Sequence, residues 1–241
     1  MRILIVNDDG IYSPGILALA QAAREFGRVM LVAPDVERSS TGHAVTHSRP
    51  LSYRKTPIQD FDAFRVDGTP ADCVAVGFSI AERFDVVLSG INIGLNLGNS
   101  MWHSGTLAGA KQAALMGSRG IALSAPSSTA EAEFIALRPW VRAVLTQLLP
   151  DADLPLVNVN FPTQPTSLRW TRQSVRHYDG KIVPIKDPMG RQLYWFTVVP
   201  LEETEEGTDR RAVEQQTIAI TPLRLDLTDL AALARYEGGN V

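Results

Sequence analysis

Two adjacent carboxylates, Asp8 and Asp9, close an aliphatic run and are followed by Gly10. Side by side without a counter-charge, such groups repel. A single Asp would serve as an Asx-type turn capping the next helix; a pair reads better as the anionic half of a cation site. Two later segments carry matching donors. Ser39 lies in the polar stretch 35–43, and Asn92 and Asn96 lie in the glycine- and asparagine-rich stretch 89–99. Carboxylate, hydroxyl and amide oxygens suit Mg²⁺, Mn²⁺ or Ca²⁺ and not a soft metal. The four histidines, His43, His47, His103 and His177, are dispersed, with no zinc-like pairing. Gly90, Gly94 and Gly98 recur every fourth residue. In a helix each would cost about 1 kcal/mol against alanine, so the stretch reads as a loop. Such a loop either brings backbone amides close to an anion or is merely flexible. Ser104-Gly105-Thr106 opens a small-residue helix, whose free amides and dipole favour a phosphate. An ordinary N-cap is the alternative, and the cation site expected on the same edge favours the phosphate.

These residues need elements that bring them together. Residues 2–6 read as a buried strand. Ser13 and Pro14 then start a helix with Ile16, Leu17, Leu19 and Ala20 at helical spacing. Residues 28–33 form a second strand, and short extended pieces follow at 51–54 and 63–66. Thr69-Pro70 repeats the cap-plus-proline signal ahead of a helix over 71–82, and 85–88 is a third core strand. A helix at 107–116, a strand at 120–124, a long amphipathic helix at 130–149 and a strand at 156–160 complete the pattern. The alternation predicts an α/β fold, a Rossmann-like, mostly parallel sheet flanked by helices. The loops after its strands share the edge where such sheets bind ligands. Successive residues of a strand face opposite ways, so Asp8 and Asp9 share an ion only if the strand breaks there, which Gly10 permits.

Beyond Pro162 the texture changes. Segments 168–173, 176–185, 193–199 and 217–221 read as strands without helices between them, and Asp179-Gly180 is a hairpin turn signal. Residues 202–211 read as a charged loop and 225–235 as a short closing helix. The expected organisation is one domain over 1–241, with a Rossmann-like core at 1–161. The β-rich extension at 162–241 carries protruding arms suited to pairing with another subunit.

Composition narrows the partners. A net charge of -3 with 20% charged residues and no basic stripe argues against a nucleic-acid polymer. The single cysteine, Cys73, excludes an internal disulfide and reads as buried filler. No apolar stretch approaches the roughly 18 residues of a membrane span, and the N-terminal apolar run is too short for a signal peptide. A cytoplasmic protein without a membrane partner is the expectation. Gly-x-x-x-x-Gly-Lys-Ser/Thr and Gly-x-Ser-x-Gly are absent, and no Gly-x-Gly-x-x-Gly follows the first strand.

The ordered set of motifs resembles the SurE family, the "survival protein" 5′-nucleotidases. The resemblance is carried by Asn7-Asp8-Asp9-Gly10-Ile11, Ala33-Pro34, Arg38-Ser39, Ser40-Thr41-Gly42-His43 and Gly68-Thr69-Pro70-Ala71-Asp72-Cys73-Val74. It continues through Ser89-Gly90-Ile91-Asn92, His103-Ser104-Gly105-Thr106, Thr171-Arg172-Gln173, Thr208-Asp209 with Ala212, and Ile220-Thr221-Pro222-Leu223. The resemblance implies a metal-dependent phosphomonoesterase for nucleoside 5′-monophosphates, often 3′-monophosphates too, and in some members short polyphosphate. It places one divalent cation per subunit, Mg²⁺ or Mn²⁺, on Asp8, Asp9, Ser39 and Asn92, and substrate phosphate on Asn96, Ser104, Gly105 and Thr106. It implies a homodimer with an exchanged C-terminal segment, paired in some members into a tetramer. Lys111-Gln112, where members carry small or acidic residues, and a short C-terminus after Pro222 depart from the pattern.

The chemistry expected is in-line attack of water on a phosphomonoester, with Asp8 or Asp9 orienting or deprotonating the water. His43 and His103 are candidates for protonating the leaving alkoxide, with a structural role as the alternative. A phosphatase acting on polyphosphate or another phosphorylated metabolite, and a non-catalytic nucleotide or metal sensor, use the same pocket. Tyr178, Tyr194, Trp195 and Phe196 either stack on a base or fill a subunit interface, and the interface is the preferred reading.

Overall fold

The computed structural model describes residues 1–81, 83–175, 180–198 and 204–237. Its framework is a nine-stranded sheet. β1 (Arg2–Val6) lies at the centre, and its side chains divide by period two. Ile3 and Ile5 enter the larger core on one face, while Leu4 and Val6 enter the smaller core on the other. Such a strand has no polar side, which is why its sequence is continuous and aliphatic.

α1 (Pro14–Ala23) follows, with the Ser13 hydroxyl accepting from Ile16 N–H and Pro14 in the first turn. β2 (Arg28–Pro34), β3 (Tyr53–Lys55) and β4 (Asp62–Val66) build one wing of the sheet. α2 (Pro70–Ile80) starts from a capping box made by Thr69 and Asp72. β5 (Val86–Ile93) then runs five residues beyond the expected end at Leu88, so Asn92 belongs to a strand and not to the loop predicted. A 3-10 turn (Gly98–Trp102) leads into α3 (Gly105–Leu115) and β6 (Arg119–Ala125).

The single helix expected over 130–149 is two, α4 (Glu131–Ala136) and α5 (Arg138–Leu148). Pro139 lacks the N–H that would continue the preceding turn and instead sits in the first turn of α5. β7 (Leu156–Asn160) ends the segment expected to be the core.

The extension is divided. β8 (Ser167–Trp170) and the later β11 (Thr217–Pro222) complete the main sheet, whose order is β3-β4-β2-β1-β5-β6-β7-β11-β8. Only β9 (Gly180–Lys186) and β10 (Gln192–Val198) stand apart, as an antiparallel pair. Their turn lies at 187–191, where Gly190 has φ +80 and Asp187 accepts from Met189 and Arg191. The turn signal predicted at 179–180 falls at the start of β9, and Asp179, like His177 and Tyr178, lies outside the described residues. Part of the expected charged loop is helical: Thr208 caps α6 (Asp209–Glu214) by accepting from Arg211 N–H. α7 (Leu230–Glu237) closes the described chain.

The strands from β4 to β7 are mutually parallel. Chain order reverses between β1 and β5: earlier strands lie on one side and later strands on the other. A crevice opens at such a switch point, outside the carboxyl ends of the two strands. Among the described residues no helix is long and apolar enough to cross a membrane.

Candidate active site

The crevice is a cleft of about 550 Å³, lined by Asp8, Ser39, Ser40, Asn92, Asn96 and Ser104 with Ile93, Leu95, Ser100, His103, Gly180 and Phe196. Three strand ends and the start of α3 converge on it.

After Val6 the strand breaks. Asn7 is fully buried, and its amide donates to Gly10 O at 2.9 Å and to Ser13 Oγ at 2.7 Å. Gly10 has φ +98, a conformation L side chains rarely adopt. This turn releases Asp8 and Asp9 from strict alternation, yet they still face differently. Asp8 lines the main cleft, and Asp9 lines an adjoining one of about 430 Å³ with Tyr12, Asp35 and Glu37. Ser39 and Ile93 border both. Backbone bonds from Arg38 N–H to Asp8 O and from Ile11 N–H to Pro34 O fix the Ser39 loop to the aspartate turn.

Asp8 is buried against α3. Its Oδ1 accepts from the Thr106 hydroxyl at 2.7 Å. A Cβ on Gly105 would lie 2.9 Å from the Asp8 carboxylate, so only glycine lets the helix approach this closely. Gly105 and Thr106 therefore sit behind Asp8, while Ser104 and Asn96 form the cleft wall. Ser104 caps α3 by accepting from Leu107 N–H at 3.0 Å.

Burial pushes the Asp8 carboxyl up, against the lowering effect of the Thr106 hydroxyl. Burial and then the Asp8 charge push Asp9 up to about 7, although its Oδ2 accepts from Ile93 N–H at 3.1 Å. Asn92 donates its amide nitrogen to Gly94 O at 2.6 Å, which leaves its carbonyl oxygen as the group with spare acceptor capacity. Ser39 donates to Glu37 Oε1 at 2.7 Å and keeps its lone pairs. Among the described residues no three His, Cys, Asp or Glu side chains form a metal-holding group. A cation here would rest on two carboxylates completed by neutral oxygens. That donor set fits a hard divalent ion, and the buried, repelling carboxylates lack the charge such an ion brings.

The glycine amides are not an anion cradle. Gly90 lies within β5 at its register shift against β6, Gly94 N–H donates to Ala125 O, and Gly98 N–H donates to Asp209 Oδ2 at 2.8 Å. These bonds shape the cleft wall and leave those two amides spent. Asn96 is held by a buried network that sequence reading missed. Its amide donates to Ser124 Oγ, its backbone N–H donates to Asn160, and its carbonyl accepts from Asn158 and Asn160. The available signal was two asparagines at alternate positions of a wholly buried strand.

The histidines separate. His103 lines the cleft. His43 instead contacts Gln112 Oε1 through Nε2 at 2.9 Å and borders a different groove with Lys111, Trp102 and Leu227. The Lys111-Gln112 pair therefore acts away from the cleft. Tyr194, Trp195 and Phe196 are all exposed, and of the three Phe196, grouped with the interface aromatics, lines the cleft.

Fold and cleft together define a doubly wound α/β protein with an oxygen-lined cleft at its switch point. Comparison with known proteins narrows this class. A family model described as "Survival protein SurE" matches residues 3–180. The chain is 45% identical to "5′-nucleotidase SurE 1" of Thermus thermophilus, covering 99% of this chain and 97% of that protein. It is 42% identical to "5′-nucleotidase SurE" of Deinococcus radiodurans, covering 94% and 88%. The crystal structure of the SurE protein from Aquifex aeolicus superposes with a TM-score of 0.85 at 37% identity, covering 98% of both chains. The chain belongs to the SurE family.

Proposed function

We propose that this protein is a divalent-metal-dependent 5′-nucleotidase that hydrolyses nucleoside 5′-monophosphates, and 3′-monophosphates as secondary substrates, to nucleoside and phosphate. The observation that carries the reading is the Asp8–Asp9 pair at the switch point, Asp8 buried and Asp9 half-buried, with no Lys or Arg among the described residues that line either cleft. The relatives' names, 5′-nucleotidase SurE, supply the substrate class.

Asp8, Asp9, Ser39 and Asn92 would hold one Mg²⁺ or Mn²⁺. The chemistry such an ion supplies when bound is withdrawal of charge from phosphoryl oxygens and a lower pKa for nearby water. The Ser104 hydroxyl keeps its proton while capping α3, so it can donate to a phosphoryl oxygen, and the Asn96 amide can do the same. Gly105 and Thr106 act through Asp8, fixing its carboxylate at the start of α3. Water oxygen attacks phosphorus as the ester P–O bond breaks. Asp9, on the second cleft beside Ser39, receives the water proton at a carboxylate oxygen. His103 supplies a proton to the departing alkoxide. Phe196 lies at the far side of the same cleft, where a base would stack.

The exposed apolar residues of the β9–β10 arm, Ile182 and Trp195, and of α7, Leu230, Leu233 and Tyr236, suit burial between subunits. We read the protein as a cytoplasmic homodimer, with tetramers built from dimers. The test is to strip the protein with a chelator and assay AMP with and without Mn²⁺ or Mg²⁺, beside tripolyphosphate. Metal-dependent release of phosphate from AMP supports the reading. Metal-independent hydrolysis, or full activity in Asp8→Asn, would overturn it, and nucleotide binding without phosphate release would make the protein a sensor.

A further inference from the structure

Asp209 is wholly buried, and its carboxylate accepts from three backbone amides. Oδ2 takes Gly98 N–H at 2.8 Å, and Oδ1 takes Ser174 N–H at 3.0 Å and Arg210 N–H at 2.8 Å. The Arg210 amide belongs to the first turn of α6, and an acid that only capped this helix would stop there. The other two amides come from two segments distant in sequence that meet here. Gly98 follows Asn96 by two residues and opens the 3-10 turn that delivers His103 and Ser104. Ser174 lies in the stretch leading from β8 towards the arm, whose Gly180 and Phe196 line the cleft.

The junction is tight. Gly98 has φ +55, and a Cβ on it would lie 2.5 Å from Ser174 O. Gln173 adds a bond from its side-chain amide to Gly98 O at 3.1 Å. The Ser174 hydroxyl is buried there without a hydrogen-bond partner. Three donors on two oxygens require a carboxylate, because an amide in its place would turn an NH₂ towards an N–H.

We propose that Asp209 is a positioning residue: it clamps the base of the arm to the Asn96–Ser104 segment, so that both walls of the cleft hold the substrate in fixed register. The kinetic part rests on the functional reading above; the clamp itself does not. Ser104 and Asn96 keep their donors, but their distance to a base seated by Phe196 depends on this junction, and misplacement of about 1 Å costs up to a hundredfold in rate.

The test compares Asp209→Asn with Arg211→Ala, an exposed control on the same helix. Asp209→Asn is expected to lower kcat/KM for AMP about tenfold, mainly through KM, and Arg211→Ala to change it less than twofold. Mn²⁺ affinity without substrate should stay within twofold in both. Hydrogen exchange reads the clamp without activity: the Gly98 and Ser174 amides lose protection in Asp209→Asn, while those of α3 keep theirs. Gln173→Ala should move both readouts the same way by a smaller factor, and it decides the matter if Asp209→Asn does not fold. An unchanged kcat/KM, or a loss of protection spread evenly over the sheet, overturns the proposal. If the wild type does not hydrolyse AMP, the functional reading fails alone, and exchange at Gly98 and Ser174 still decides whether the clamp exists.

Discussion

Asp72 and Asp8 are buried carboxylates of similar exposure, 2% and 4%, the one within the first turn of α2 and the other packed against the first turn of α3. They differ in what surrounds them. Burial alone would raise Asp72, but Thr46 donates its N–H at 2.9 Å and its hydroxyl at 2.6 Å, and Thr69 donates its N–H at 2.9 Å. These donors hold Asp72 below the usual carboxylate range. Asp8 also takes donors, the Thr106 hydroxyl and backbone amides, but burial outweighs them and, with Glu37 nearby, keeps it raised. One carboxylate is a finished structural joint between the 43–46 loop and α2. The other is raised by its deep burial and by the negative charge of Glu37, the kind of perturbation that singles out a candidate functional group.

The largest expected effect separates the two by activity. Asp8→Asn should lower kcat/KM for AMP by about 1,000-fold, the scale of losing a charged group from a metal-assisted phosphoryl transfer. Asp72→Asn should stay within a few-fold of wild type. Steady-state phosphate release with saturating Mn²⁺ measures both, and equal losses would erase the distinction. Ion removal comes next. Mn²⁺ at a hundred times its dissociation constant should raise the stability of the wild type by about 2.7 kcal/mol. The same Mn²⁺ should stabilise Asp72→Asn equally and Asp8→Asn hardly at all. Thermal melts of chelated and reloaded protein read this.

The same contrast explains what was legible in the sequence. The α2 start was readable, because Thr69-Pro70 is a local cap-plus-proline signal, to which the structure adds the Asp72 half of a capping box. The Asp8–Asp9 pair stood out as a candidate, because adjacent carboxylates at a strand end repel without a counter-charge. That Asp8 shares a cleft with Ser39 and Asn92 follows from parallel topology. The long-range polar joints were not readable. Asp209 reaches Gly98 across 111 residues, and Asn96 reaches Asn160 across 64. Nothing local distinguishes such residues from solvated loop polars. The glycines misled for the same reason: their spacing suggested free amides, while partners distant in sequence, Ala125 and Asp209, had taken those of Gly94 and Gly98. His43 and His103 looked equivalent until Gln112 drew one of them out of the cleft.

The structural joint has its own pH signature. Asp72 has a folded pKa below its unfolded one, so its contribution is full above the unfolded value near 4 and disappears as pH falls through the folded value. Asp72→Ala should cost about 2 kcal/mol at pH 7, the combined scale of a lost cap and its hydrogen bonds. The difference from wild type should shrink in acid. Urea unfolding at pH 7 and pH 3 measures it, and a difference that persists unchanged at pH 3 would remove the charge from the explanation.

Asp9 should give the opposite slope and the smallest effect. Its folded pKa of about 7 lies above the ordinary carboxylate value of 3.8, so in the metal-free protein the folded state binds the proton more tightly than the unfolded chain. Stability from this group is therefore full below about pH 4 and is lost as pH rises through about 7. Asp9→Asn removes the charge and with it the loss. The variant should be more stable than the metal-free wild type at pH 8 by about 1 kcal/mol, reduced from the wholly buried case because the carboxyl is partly solvated. The gain should vanish near pH 4, and added Mn²⁺ should reverse the order at pH 8, because only the wild type keeps both carboxylates for the ion. A stabilising substitution at a carboxylate proposed to hold the ion would separate this pair from Asp72, where removing the carboxylate can only weaken the fold.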